Sequence, residues 1–250
     1  MSTTNSLIPH TRLGRFTDRL NYRLSQYWLL VFSLVFGLYV GLPILAPVFM
    51  QLGWHIPGKA IYFIYSFLCH QLPQRSYFLF GTQTMYSLCE VQVNLPNTAN
   101  LLILRQFIGN PDMGWKVAWS DRMVSMYASI LIFCWLWWPL RRRIKQLPLW
   151  GFVLLLLPMA IDGSSHLISD LAGFGQGFRY TNTWLAELTG NVFSDSFYVG
   201  SAFGSFNAWM RLITGILFGL GIVWLGFPYL EKLFMDTART MKSKSQRPGF

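Results

Sequence analysis

Of the 250 residues, 53% are hydrophobic and only 12% are charged. That is about half the charged fraction of a soluble domain, which excludes an ordinary water-soluble globule. The net charge is +10, but the cations adjoin long apolar runs. They read as topology signals and contacts to anionic lipid headgroups, so no nucleic-acid partner is expected.

Residues 1–26 form a basic segment. Arg12, Arg15, Arg19 and Arg23 recur at helical spacing beside a second stripe of Leu13, Phe16, Leu20 and Leu24. The pattern fits either a helix on the membrane surface, its arginine stems snorkelling, or a mobile basic tail. The first span covers 27–50 without a charge, more than the ~20 residues a bilayer requires, and is expected to act as an uncleaved signal anchor. Pro43 and Pro47 predict kinks in its far half. The next apolar run, 60–69, is too short to cross and breaks at His70–Pro73. It predicts a re-entrant or interfacial segment over about 60–80.

An outer loop follows over 81–120, with one apolar stretch, 101–108, lying on the surface. The second span covers 123–140 and ends at the cationic run Arg141, Arg142, Arg143 and Lys145. The third covers 147–162. A second outer loop, 163–207, is rich in glycine and aromatics (Gly173, Phe174, Gly175, Gly177, Phe178), and loops of that length are usually functional or disordered. The last span covers 208–230 and leads to a basic tail, 231–250. No internal repeat is visible, so the inverted-repeat signature of many transporters is missing.

The fold class is therefore an all-α polytopic integral membrane protein of the plasma membrane. It has four transmembrane helices plus one re-entrant or interfacial helix, with both termini cytoplasmic. With that topology, thirteen cations and only Asp18, Glu231 and Asp236 lie on the cytoplasmic side, while seven cations meet seven acids on the other, as the positive-inside rule requires. A fifth span at about 60–80 is the competing topology; it places the basic C-terminal tail outside. Of the three cysteines, Cys134 reads as a packing residue inside a span. Cys69 and Cys89 fall in a compartment that permits a disulfide, and whether they pair stays open.

The polar residues gather where the spans meet the outer surface. His70, Gln71, Arg75 and Ser76 lie in CHQLPQRS (69–76), Asp121 and Arg122 open the second span, and Asp162 closes the third with His166 beyond it. Arg211 and Thr214 begin the fourth. Asp162 and His166 share a face if the helix continues past Gly163. Read singly, each has a structural role: Arg211 as an interface anchor or partner of Asp162, Asp121–Arg122 as a solvated cap, His70 as a ligand of the loop backbone. Their common depth makes them a candidate site. His70, Asp162 and His166 are the candidate catalytic residues. Gln71, Arg75, Ser76, Arg122, Arg211 and Thr214 are the candidate ligand-binding residues. Cys69, His70, Asp162 and His166 are the only candidate metal ligands, and their spacing matches no zinc pattern. Neither a metal nor another cofactor is expected. No P-loop, Rossmann glycine fingerprint, GxSxG elbow or HExxH is present.

The strings CHQLPQRSYFLFG, DR at the start of a span, LPMAIDG and RLITGILFG, in that order, resemble a prokaryotic integral-membrane family known as domain of unknown function 2085 (DUF2085). The resemblance covers about 55–225. It implies a shared fold and a shared polar cluster at the outer face, and it supplies no activity. The family's CxRCxG string falls on Ser120–Ser125. Arg122 matches it, while Ser120 and Met123 replace both cysteines, so any metal or redox role of those thiols is lost from this chain.

The leading expectation is a membrane component that binds an anionic lipid or a membrane partner through the outer cluster. A partner is accommodated by the outer loops or by Gly215 and Gly219, at GxxxG spacing. The alternatives are a hydrolase or transferase acting on a lipid-linked substrate at the outer leaflet, with His70 or His166 as base, and then a small transporter.

Overall fold

The computed structural model describes residues 12–95, 100–173 and 175–245; Phe174 and Arg247 lie outside them. Helix α1 (Arg12–Gln26) leads into α2 (Trp28–Gln51) with the helical hydrogen bonds almost uninterrupted. Tyr27 N–H donates to Arg23 O and Val31 N–H to Tyr27 O, both at 3.0 Å. One face of α1 (Gly14, Asp18, Asn21, Ser25) is covered, whereas Phe16, Leu20 and Leu24 are exposed, and α1 packs along the end of α11 (Phe206–Ser245). The segment is thus helical, its polar side docked on a helix and its apolar stripe pointing away.

At the other end of α2 the chain reverses at once. Gly53, at φ +76°, closes a Schellman motif in which Trp54 N–H donates to Phe49 O (2.8 Å) and Gly53 N–H to Met50 O (3.1 Å). Helix α3 (His55–Ser66) then runs back along α2. Gly58 sits against Met50 near the turn, and the Tyr65 hydroxyl reaches Tyr39 O at 2.8 Å. A 3₁₀ turn (Pro73–Arg75), β1 (Ser76–Leu79), α4 (Leu88–Val93), α5 (Leu101–Leu104), β2 (Gly109–Asn110) and β3 (Gly114–Ser120) follow.

The three strands form an antiparallel sheet in the order β1-β3-β2, with Phe78 opposite Lys116 and Gly109 opposite Trp115. This corrects the all-α expectation and the reading of 81–120 as a plain loop. Trp115, Val117 and Trp119 alternate with Lys116, Ala118 and Ser120, the period of a strand, and nearly every position is buried because α2 covers one face. Trp119 lies at the centre of a ring cluster with Tyr39, Tyr65 and Tyr127, centroids 4.8–5.3 Å away.

Helix α6 (Asp121–Leu140) starts directly from β3. Helix α7 (Leu149–Leu171), the short helices α8 (Phe178–Thr181), α9 (Thr183–Leu188) and α10 (Asp195–Tyr198), and α11 complete the chain. Among the described residues four helices, α2, α6, α7 and α11, are long and apolar enough to cross a membrane. The third extends nine residues beyond its apolar run because Gly163 does not end it. The fourth is 40 residues, about 60 Å, or twice the ~30 Å hydrocarbon core. Helices α6 and α11 approach closely because Gly215 and Gly219 meet Ser125 and Ser129. The two serine hydroxyls also donate to Arg211 O (3.1 Å) and Gly215 O (3.3 Å). The GxxxG pair is therefore used within the chain. A second aromatic cluster, Trp28, Trp137 and Phe227, closes the end of the bundle nearest α1.

Candidate functional site

The other end of the bundle, where α6 and α11 begin, carries the polar cluster. Asp121 lies in the first turn of α6, where a carboxylate is favoured by the helix dipole, and accepts from Arg122 N–H at 2.7 Å. Its other oxygen takes the Arg211 Nε–H at 2.6 Å, and Arg211 Nη2 donates to Ser201 O at 2.9 Å. Both side chains are 3% exposed. Arg211 thus neither snorkels nor pairs with Asp162, and Asp121 is no solvated cap.

Because α7 continues through Gly163, Asp162 and His166 do share a face, 3.9 Å apart. Gly163 is also small enough to admit the Arg122 guanidinium beside it; a Cβ there lies 3.1 Å from Arg122 Nη1. Arg122 donates to Asp162 Oδ2, and Arg179 donates to Oδ1 at 2.5 Å. One buried carboxylate therefore serves two guanidiniums.

Arg179 was not foreseen. It is fixed by its N–H to Ser169 Oγ (2.9 Å) and by Asn182 and Asn207, which donate to its carbonyl at 3.0 and 2.5 Å. The connection before it lies directly on α7, where a Cβ on Gly177 meets Ser169 O at 2.0 Å. Burial lowers the Arg179 pKa; Asp162 pulls it back up, and Arg211, Arg122 and Arg75 add to the lowering. Arg75 pairs with Asp170, another residue that sequence reasoning missed, through Nη2 at 3.3 and 3.2 Å to its two oxygens.

Lys116 is fully buried beneath this layer, its ammonium donating to Gln71 O and Arg105 O, each at 2.7 Å. Burial pushes its pKa down to about 7. Gln71, at φ +51°, spends its amide on Tyr62 O and Ala118 O, both 3.0 Å. Ser76 bonds Leu72 O and Thr214 bonds Met210 O. These three hold backbone in place and do not face an opening. The three cysteines are free thiols, with Cys69 accepting from Ser120 N–H at 3.4 Å. Among the described residues no group of three His, Cys, Asp or Glu side chains is placed to hold a metal, and Cys69, His70 and His166 are not gathered into one.

The histidines are engaged in a way that defines their tautomers. Leu72 N–H donates to His70 Nδ1 at 3.3 Å, so the neutral ring carries its proton on Nε2. Arg179 Nη2 lies 3.3 Å from His166 Nε2, and a guanidinium only donates, so that nitrogen is the acceptor. The His70 ring is exposed, yet its surroundings are dense. Lost hydration, then Arg75, Arg122, Arg211 and Lys116, push its pKa down to about 4, and it is neutral at pH 7.

The rim of the cluster is accessible: His70 is exposed, Asp170 is 27% and Arg122 20% exposed at the side chain. Four guanidiniums (Arg75, Arg122, Arg179, Arg211) face three carboxylates (Asp121, Asp162, Asp170). This buried layer sits at one end of four membrane-length helices and includes Arg122 within the DR pair. Residues 112–225 match DUF2085, a family described as predicted membrane protein. Over that stretch the chain resembles the DUF2085 family. The match takes in β3, α6, α7 and the first half of α11, so it contains Asp121, Arg122, Asp162, Asp170, Arg179 and Arg211. His70 and Arg75 lie before it. The chain is also similar to an uncharacterized archaeal protein, MJ1492 of Methanocaldococcus jannaschii, at 25% identity over 174 residues. That similarity covers 66% of this chain and 88% of the relative. No solved structure matches.

Proposed function

We propose that the chain binds the anionic headgroup of a membrane amphiphile at the rim formed by His70, Arg75 and Arg122. The observation that carries this reading is the sharing of Asp162 by two arginines, which leaves four guanidiniums against three carboxylates. Each guanidinium has a carboxylate, yet the layer as a whole carries an excess positive charge, and an anion at its rim balances that excess. His70 adds an Nε2–H donor, since its Nδ1 is taken. Apolar side chains flank the rim, with Phe67 and Leu68 exposed just before His70 and Leu167 and Ile168 exposed on α7. That combination suits a headgroup with acyl chains better than a soluble anion. The hydrolase or transferase alternative requires a histidine lone pair aimed at substrate, and both identified lone pairs are occupied.

The same reading places the rim at the extracytoplasmic surface of the plasma membrane. The basic segments at the opposite end of the bundle support cytoplasmic termini. The return of α3 along α2, together with its exposed Ile56, Phe63 and Ile64, supports a helix dipping into the outer leaflet. The test is retention of phosphatidylglycerol against phosphatidylcholine by the detergent-purified protein. Arg122→Gln is expected to lose the preference for the anionic lipid at the rim, read as photo-crosslinking of the lipid to residues 70–76, while the protein stays folded and monodisperse. Undiminished preference overturns the proposal.

A further inference from the structure

We propose a second, separate lipid site at the opposite end of the bundle: a groove along α2 and α6 that seats an acyl chain of an anionic phospholipid whose headgroup is held by Arg19 and Arg23. A cavity of about 560 Å³ lies between the two helices, lined by Gln26, Leu30, Ser33, Trp135 and Trp138 among others. It shares Ser33 and Leu34 with a second cavity of about 260 Å³ that continues along α2 over Gly37 and Gly41. The two form one channel. Nothing lies within 4 Å of a Cβ built on either glycine, so the helix surface there has no partner in the chain.

The groove is apolar along its length and basic at one end only. Helical hydrogen bonds flank Tyr27, where the backbone bends (φ −110°, ψ 22°), and residues 19, 23 and 26/27 at the end of α1 keep the i, i+3/i+4 spacing that 27, 30 and 34 have on α2. Arg19 and Arg23, both exposed, therefore stand two turns and one turn above the mouth. On the facing helix, Arg141 lies over the Trp138 ring at 3.6 Å, its charge partly met by Glu231 at 3.4 Å. Basic pockets at the ends of transmembrane helices are the usual receptors for anionic headgroups. Charge decides the occupant. A second copy in the same orientation brings Arg19 and Arg23 against their own counterparts, and a neutral lipid leaves them unanswered. An anion-headed lipid matches the apolar channel and its cationic mouth together.

The experiment uses the full chain in detergent with a phosphatidylglycerol carrying a diazirine in its acyl chain, and maps the photo-adducts by mass spectrometry. Adducts are expected on α2 and α6 between Leu30 and Leu34 and between Trp135 and Trp138. Unlabelled phosphatidylglycerol competes for them, while phosphatidylcholine does so poorly. At about 1 kcal/mol per surface cation, Arg19→Gln with Arg23→Gln weakens the competition about thirtyfold. Gly37→Leu, which fills open space, weakens labelling by the diazirine lipid itself. Adducts at 70–76 report the rim site and are scored separately, so either site can fail alone. Equal competition by phosphatidylcholine, labelling unchanged in the arginine variant, or a dimer of the parent chain that Gly37→Leu dissolves each overturns the proposal.

Discussion

Replacing Asp162 by Asn keeps the side chain's shape and removes its charge. Asp162 is 2% exposed and lies between Arg179, 6% exposed, and Arg122, 20% exposed. Arg122 can regain water, but Arg179 has no route to it, so one buried cation is left without its carboxylate. Breaking a buried pair from one side costs about 3–5 kcal/mol. Asp170→Asn removes a carboxylate that is 27% exposed, where the cost is about 0–1 kcal/mol. At about 2–4 °C per kcal/mol for a chain of this length, Asp162→Asn lowers the unfolding midpoint by about 6–20 °C and Asp170→Asn by no more than about 4 °C. Tryptophan fluorescence during heating in detergent reads both. Adding Arg179→Gln to Asp162→Asn recovers part of the loss, because the stranded cation is gone. Equal shifts for the two aspartate variants refute the reasoning, since burial then does not set the cost.

Lys116 links stability to pH. Its pKa falls from 10.5 unfolded to about 7 folded, so folding releases a proton between those values. Its contribution therefore improves as pH rises from about 7 to 10.5, and its full penalty is present below 7. Relative to Lys116→Gln, the parent's midpoint is expected to rise across that window; parallel curves contradict it. Gly177→Ala forces a Cβ to 2.0 Å from Ser169 O and is expected to cost about 1–3 kcal/mol, displacing Arg179 from Asp162; a neutral outcome in thermal unfolding contradicts that close approach. Because His70 stays neutral down to about pH 4, phosphatidylglycerol binding at the rim is expected to be flat from pH 5.5 to 7.5, and an inflection near 6.5 shows an ordinary histidine instead.

The apolar runs were legible because a bilayer demands them, and among the described residues each of the four membrane-length helices overlaps one such run, α7 and α11 continuing well past it. The strand 114–120 was equally available as the alternation of Trp115, Val117 and Trp119, but it was masked by Lys116, whose burial no local pattern announces. Continuation through Gly163 was hidden because a glycine reads as a helix stop when the guanidinium that needs its space is 41 positions away. Arg122 and Asp162 stood out from sequence by their depth in the spans. Arg179 and Asp170 did not, since one lies in a glycine-rich connection and the other beyond the apolar run. The pairing of Arg211 with Asp121 instead of Asp162 depends on how α6 and α11 cross, which Ser125–Gly215 and Ser129–Gly219 dictate and no single segment reveals.

The most direct measurement is an experimental density map of the chain in a phosphatidylglycerol bilayer. Headgroup density within hydrogen-bonding reach of His70 Nε2 and the Arg122 guanidinium is the expected result. A fully ordered rim with density for water alone, in a bilayer where every lipid is anionic, contradicts the proposed function.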